Sequence, residues 1–230
     1  MAYHIYSDEK PVIRGVLFDM DGLVLDTEKL YTRFWMEAAH ALGWPMTLEQ
    51  ALGMRSLGKG PGQAYLESIF GSGVSYTQMR GERIRRMDAY IAAHGVELKP
   101  GIGELLEELD RRGIPRAITS SSSQEIICRY LGWHGIDGRF NALCSGKDVP
   151  KGKPAPDIYL HGAACLGLKP EECLALEDSV AGIEAGWRAG CHTVLIPDQD
   201  DPSEKIAHML FAKCDSLEDV IALVNWSLSG

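Results

Sequence analysis

The sequence predicts an α/β protein built on a doubly wound parallel sheet, with a helical segment inserted after the first strand. Three observations carry this. Short apolar runs rich in β-branched residues alternate with helical patterns from about residue 101 onward. Several of these runs are apolar nearly throughout, which suits a sheet covered on both faces. The interval between the first two runs is long, helical in pattern and without a convincing strand, far more than a single crossover needs.

The strands are read at "VIRGVLF" (Val12 to Phe18), "RAITS" (Arg116 to Ser120), "ALCSG" (Ala142 to Gly146), "CLALE" (Cys173 to Glu177) and "HTVLI" (His192 to Ile196). Between them, "GIGELLEELDRRG" lines up Leu105, Leu106 and Leu109 on one stripe, with Gly113 as its stop. "SSSQEIICRYLG" opens on hydroxyl residues suited to capping and ends at Gly132. "PDIYLHGAACLG" and "DSVAGIEAGWRAG" follow the same pattern. The inserted segment carries "KLYTRFWMEAAHALG", "GQAYLESIFG" and "SYTQMRGERIRRMDAYIAAHG" and returns near "LKPG". The expected organisation is a core of residues 1–28 and 97–230 with a helical cap at residues 29–96.

Composition excludes several classes. With 45% hydrophobic residues the chain is neither disordered nor fibrous, and Gly and Pro are scattered rather than blocked. A formal net charge of -9 argues against nucleic acid as partner, and the densest basic stretch, "GERIRRMD" (Gly81 to Asp88), reads as a solvated helix face. The six Cys show no CxxC pairing and read as reduced core thiols of a cytoplasmic protein. The seven His stand singly, without HxH or HExxH spacing, so no zinc site is expected. The start is too polar for a signal peptide, and no apolar stretch is long enough to cross a membrane.

The chemistry lies at the strand ends. "RGVLFDMDGLVLDTE" leaves its apolar run at Asp19, with Asp21 two residues on and therefore on the same side of an extended chain. Two such carboxylates repel, so a cation or a proton is needed between them. The second strand ends in "TSSSS" (Thr119 to Ser123), where hydroxyls and backbone N–H groups open a helix and suit an anion. After the third comes "KGKPAPDIY", where Pro154 and Pro156 are expected to hold the backbone extended and present Lys153 at the same edge. The fourth ends in "LEDSVAG", adding Glu177 and Asp178. Carboxylate ends of parallel strands are where open α/β sheets bind ligands. Four acids, one Lys and a hydroxyl-rich helix start suit Mg²⁺ with a phosphate.

In that order, "FDMDGLVLDTE", the Ser run, "KGKPAPDIY" and "LEDSVAGIEAG" resemble the four motifs of the haloacid dehalogenase superfamily. The resemblance is nearest to its sugar-phosphate phosphatase and β-phosphoglucomutase-like branch and covers essentially the whole chain, including a "CDSLEDV" tail. It implies a Rossmann-like core with a helical cap and a Mg²⁺-dependent phosphatase acting on a small phosphate ester. Asp19 would be the nucleophile, forming an aspartyl-phosphate, and Asp21 the general acid and then base. Ser120, with Thr119 and Ser121 nearby, would bind the phosphoryl group, and Lys153 would neutralise charge. Asp19, Asp178, Glu177 and the backbone carbonyl of Asp21 would hold the metal. Arg55 and Lys59 fall at the family's cap substrate loop and are candidates for touching the rest of the substrate.

Alternatives remain open. "GMRSLGKG" (Gly53 to Gly60) matches the front of a P-loop, but Gly60 replaces its Ser or Thr and the preceding "MTLEQAL" reads as helix. A dehalogenase would lack the second acid that Asp21 supplies. A phosphomutase is harder to separate; those enzymes typically offer a His early in the first cap helix, where "TEKLYTRFW" has none. A non-catalytic phosphate binder is opposed by the intact acid, Ser and Lys set. The substrate's identity and the oligomeric state are open, a monomer being the default.

Overall fold

Seven strands form a single sheet in the computed structural model, which describes residues 3–7, 10–55, 57–198 and 201–228. Parts of the opening "MAYHIYSDEK", and Ser56 within "GMRSLGKG", lie outside the described residues. In chain order the elements are β1 (Tyr3–Ile5), β2 (Gly15–Phe18), α1 (Glu28–Ala41), α2 (Leu48–Leu52), α3 (Lys59–Phe70), α4 (Tyr76–His94), α5 (Ile102–Arg112), β3 (Arg116–Ser120), α6 (Gln124–Trp133) and β4 (Ala142–Ser145). They continue with α7 (Asp157–Cys165), β5 (Cys173–Glu177), α8 (Val180–Ala189), β6 (His192–Leu195), α9 (Ser203–Ile206), β7 (Ala212–Cys214) and α10 (Leu217–Leu228). The chain divides into two compact units, one of Met1–Leu25 with Leu98–Gly230, the other Asp26–Glu97.

The first unit holds the sheet, in the order β1-β7-β6-β5-β2-β3-β4. All neighbours are parallel except β1, which runs antiparallel to β7. β2, β3 and β5 are buried at every residue, which is why they read as unbroken apolar runs rather than as alternation. Leu17, Ala117, Cys144, Ile158, Tyr159, Ala163 and Ala175 share one core cluster, joining four strands to α7. α5 buries Leu105, Leu106 and Leu109 and stops at Gly113, whose φ of 65° takes the left-handed conformation that favours glycine.

Some expectations need correction. β2 starts at Gly15, not Val12: Val12 is 75% exposed, and the register with β5 begins only where Gly15 meets Cys173. β4 stops at Ser145 and β6 at Leu195, one residue short of the expected ends. α6 runs through Gly132 to Trp133, and the left-handed glycine comes at Gly135. Its N-cap, Ser123, makes no side-chain capping bond. β1 and β7 were not expected; three residues each are too few to show a period.

The second unit consists of α1 to α4. Trp35, Ala38, Met46, Met54, Leu66, Tyr76 and Met79 form its core. "MTLEQAL" leads into α2, whose Thr47 and Gln50 form a reciprocal capping box, so no strand precedes the P-loop-like stretch. The basic stretch on α4 is not uniformly solvated. Arg85 and Arg86 pair with Glu82, but Arg83 is only 8% exposed, with its guanidinium 4.6 Å from the Tyr31 ring centroid and 5.1 Å from that of Trp35. Aromatic faces substitute there for water around the cation, although burial pushes its pKa below the usual range.

Among the described residues, no helix is long and apolar enough to cross a membrane.

Candidate active site

The carboxyl ends of β2, β3 and β5 and the loop after β4 carry the motif residues. Asp19 follows β2 directly and remains in line with the sheet, its backbone N–H donating to Leu176 O at 3.0 Å. The chain then reverses: Gly22 has φ 89°, and its N–H bonds Leu25 O. This carries the backbone past Asp21, which is half-buried.

Lys153 joins two acids. Its ammonium lies 2.5 Å from Asp19 Oδ1 and 2.5 Å from Glu177 Oε1, with its side chain 8% exposed. The loop presents it differently from the extended backbone expected. Ala155 N–H bonds Gly152 O, closing a turn around a cis Lys153–Pro154 bond, and Pro156 is already in the αR region. Proline fixes φ, not ψ, so two prolines do not enforce an extended chain.

Glu177 is held on every side. Lys153 and the Tyr159 hydroxyl donate to Oε1, and the Ser179 hydroxyl and backbone N–H donate to Oε2. A Cβ on Gly182 would lie 1.9 Å from this carboxyl, so α8 must carry glycine there. Ser179 also caps α8 by accepting from Gly182 N–H.

Asp19, Glu177 and Asp178 are all buried and place carboxylate oxygens within 4.8 Å of one another. Burial pushes the Asp19 carboxyl well above its usual pKa; Lys153 opposes this, while Glu177 and Asp21 add to it. For Lys153, burial alone would lower the pKa, but Asp19 and Glu177 carry it well above its usual value. Three buried acids thus face one buried amine. That excess of oxygen donors, with no His or Cys in the group among the described residues, fits a hard divalent cation.

The hydroxyl run divides its labour. Ser120 is fully buried, and its Oγ accepts from Ser122 N–H at 3.0 Å. The Ser122 hydroxyl donates to Asp21 Oδ2 at 3.0 Å. Ser145, on β4, donates to Ser122 O at 2.8 Å and accepts from Lys147 N–H. Ser121 is exposed. Thr119 does not join the group: it is wholly buried, and its hydroxyl donates to Phe18 O, tying β3 to β2. In the helical unit, Arg55 pairs with Glu28 at 2.9 Å, and Lys59 is exposed at the start of α3. Tyr159, Ser122 and Ser145 escaped the sequence reading; only the Ser122 position within the hydroxyl run gave any signal.

Comparison with known proteins places the chain. The model of the haloacid dehalogenase-like hydrolases matches residues 16–196, spanning all four motifs. Hexitol phosphatase A of Escherichia coli (strain K12) is 32% identical over 187 residues, covering 80% of this chain and 82% of that one. A mutant form of CbbY from Rhodobacter sphaeroides, in complex with xylulose-(1,5)bisphosphate, is similar in structure. It has a TM-score of 0.70 and 28% identity, covering 90% of this chain and 96% of that one. A HAD family hydrolase from Deinococcus radiodurans with bound phosphate and sodium has a TM-score of 0.79 and 26% identity, covering 95% and 97%. With its four motif segments in order on one sheet and the family match running through them, this chain belongs to the haloacid dehalogenase-like hydrolases.

Proposed function

We propose that this chain is a Mg²⁺-dependent phosphatase that hydrolyses a small sugar or polyol phosphate through an aspartyl-phosphate at Asp19. The observation that carries the reading is the Lys153 bridge between Asp19 and Glu177, in a buried cluster with Asp178. The substrate class is supported by two relatives: a hexitol phosphatase and a sugar-bisphosphate complex.

Lys153 holds Asp19 Oδ1 and favours its ionised form against the burial that opposes it. Asp19 attacks phosphorus; the P–O bond to the substrate breaks as the Asp19–phosphoryl bond forms. Asp21 gives its proton to the departing alkoxide, then removes one from the water that cleaves the acyl phosphate. The Ser122 hydroxyl donates to Asp21 Oδ2 and so holds that carboxyl at the strand end. Ser120 accepts from Ser122 N–H, so its own O–H is free to donate to a phosphoryl oxygen. Glu177 anchors Lys153, with Tyr159 and Ser179 also on its oxygens, and Asp19 and Asp178, with Glu177 in support, would hold the metal. When bound, Mg²⁺ supplies positive charge for the phosphoryl oxygens and offsets the excess of buried carboxylates.

The test is a panel of sugar, hexitol and other phosphate esters incubated with Mg²⁺, following both released phosphate and isomerised ester. Phosphate release from a few sugar or polyol phosphates is the expected result. Isomerisation of a hexose 1-phosphate with little release would contradict it and make this chain a mutase.

A further inference from the structure

The described residues contain a second cluster of metal-ligating side chains, apart from the carboxylate site. Cys144, His161 and Cys165 place their ligand atoms within 4.8 Å of one another. His161 and Cys165 stand four residues apart on α7, which puts them on one helix face, and Cys144 comes from β4 beneath it. The two elements are packed together, since Cys144 shares a core cluster with Ile158, Tyr159 and Ala163 of α7. The absence of HxH and HExxH spacing gave no hint of this grouping, because one ligand arrives from a strand 17 residues earlier than His161.

The donor set is two sulfurs and one imidazole. Such a set selects a borderline-soft ion, with zinc the commonest, and leaves the fourth tetrahedral position to water. At ordinary Zn–S and Zn–N lengths, tetrahedral ligand atoms lie about 3.6–3.8 Å apart. The Cys165 Sγ to His161 Nε2 separation is 3.7 Å. Cys144 is buried, His161 half-buried and Cys165 exposed, so the cluster opens to solvent on one side. We propose that Cys144, His161 and Cys165 form a binding site for a thiophilic divalent cation of the zinc class, tying β4 to α7. Those two elements bracket the loop that presents Lys153, so occupancy braces that loop at both ends.

The experiment uses the full chain, kept reduced with a phosphine, in excess Mg²⁺ to occupy the oxygen site. Co²⁺ is added as the probe. Thiolate ligation is expected to give a near-ultraviolet charge-transfer band, which an oxygen-only site cannot produce. One equivalent of Zn²⁺ should displace it. The band should persist in Cys128→Ser, which alters an exposed thiol elsewhere, and be lost or sharply reduced in Cys165→Ser. Zn²⁺ affinity should fall at least about tenfold in His161→Gln. Zn²⁺ should also raise the thermal midpoint of the parent chain but not that of Cys165→Ser, a readout that holds whether or not the enzyme turns over. Absence of the band in the parent chain, or an undiminished band in Cys165→Ser, overturns the proposal. Neither result bears on the phosphatase reading.

Discussion

Glu177 shows how a buried charge is made tolerable in this chain: four donor groups share its two oxygens, and α8 has no side chain where that carboxyl stands. Gly182→Ala should therefore push Glu177 aside, destabilising the protein by about 1–3 kcal/mol and lowering phosphate release as Lys153 loses its anchor. Urea unfolding and steady-state rates check both effects; an unchanged rate would mean that Glu177 does not position Lys153. Lys153→Ala removes the amine that bridges two of the three buried acids. It should lower kcat by about 10²–10³-fold, the order seen when one preorganised electrostatic contact is deleted. Stability should fall in the same variant and be partly restored by Mg²⁺. A variant with near-parental kcat would contradict the role given to the amine.

That Asp19, Lys153 and Asp178 gather at one edge of the sheet could be read from the chain because each ends or follows a strand in a motif of fixed order. Tyr159 could not. It lies on a helix that reads as ordinary core, and its hydroxyl meets Glu177 only when α7 packs on the sheet. Thr119 is the opposite case: its place in a hydroxyl run suggests a ligand contact, and in the fold its hydroxyl donates to the adjacent Phe18 carbonyl.

The elements show the same division between local and long-range information. β3 and β5 span the expected residues to the end, because runs buried on both faces carry an unmistakable apolar signal. β1 and β7 depend on one another across most of the chain and carry almost no local signal. Arg83 on α4 is a further case, a cation whose partners are two rings of α1. At the start of β6, His192 gives a pH prediction. Burial lowers its pKa, although its ring contacts Glu171 O. The unfolded chain then binds the proton more readily, so the stability in question is present above the ordinary His pKa of about 6.5 and is lost as pH falls below it. His192→Phe should flatten the change in urea midpoint between about pH 7.5 and 5.5. Parallel slopes for the two proteins would assign that titration elsewhere.

Across the whole molecule, an acidic chain of net charge -9 must handle an anionic substrate, so attraction has to be local. One buried lysine, a row of helix-opening hydroxyls and an acid cluster suited to a hard cation concentrate it at the ends of the strands. The two-unit division leaves that machinery entirely in the unit that carries the sheet. The order of the four motifs made the gathering of the candidate site residues legible in the chain, whereas the Cys144, His161 and Cys165 grouping required the packed helix and strand.

The most direct measurement of the central claim is acid quenching during turnover with a hydrolysed sugar or polyol phosphate and Mg²⁺, followed by mass analysis of the peptide containing Asp19. One added phosphoryl group on that residue, absent from Asp19→Asn together with phosphate release, is the predicted result. Steady hydrolysis by Asp19→Asn, or a phosphoryl group found on another residue, would contradict it.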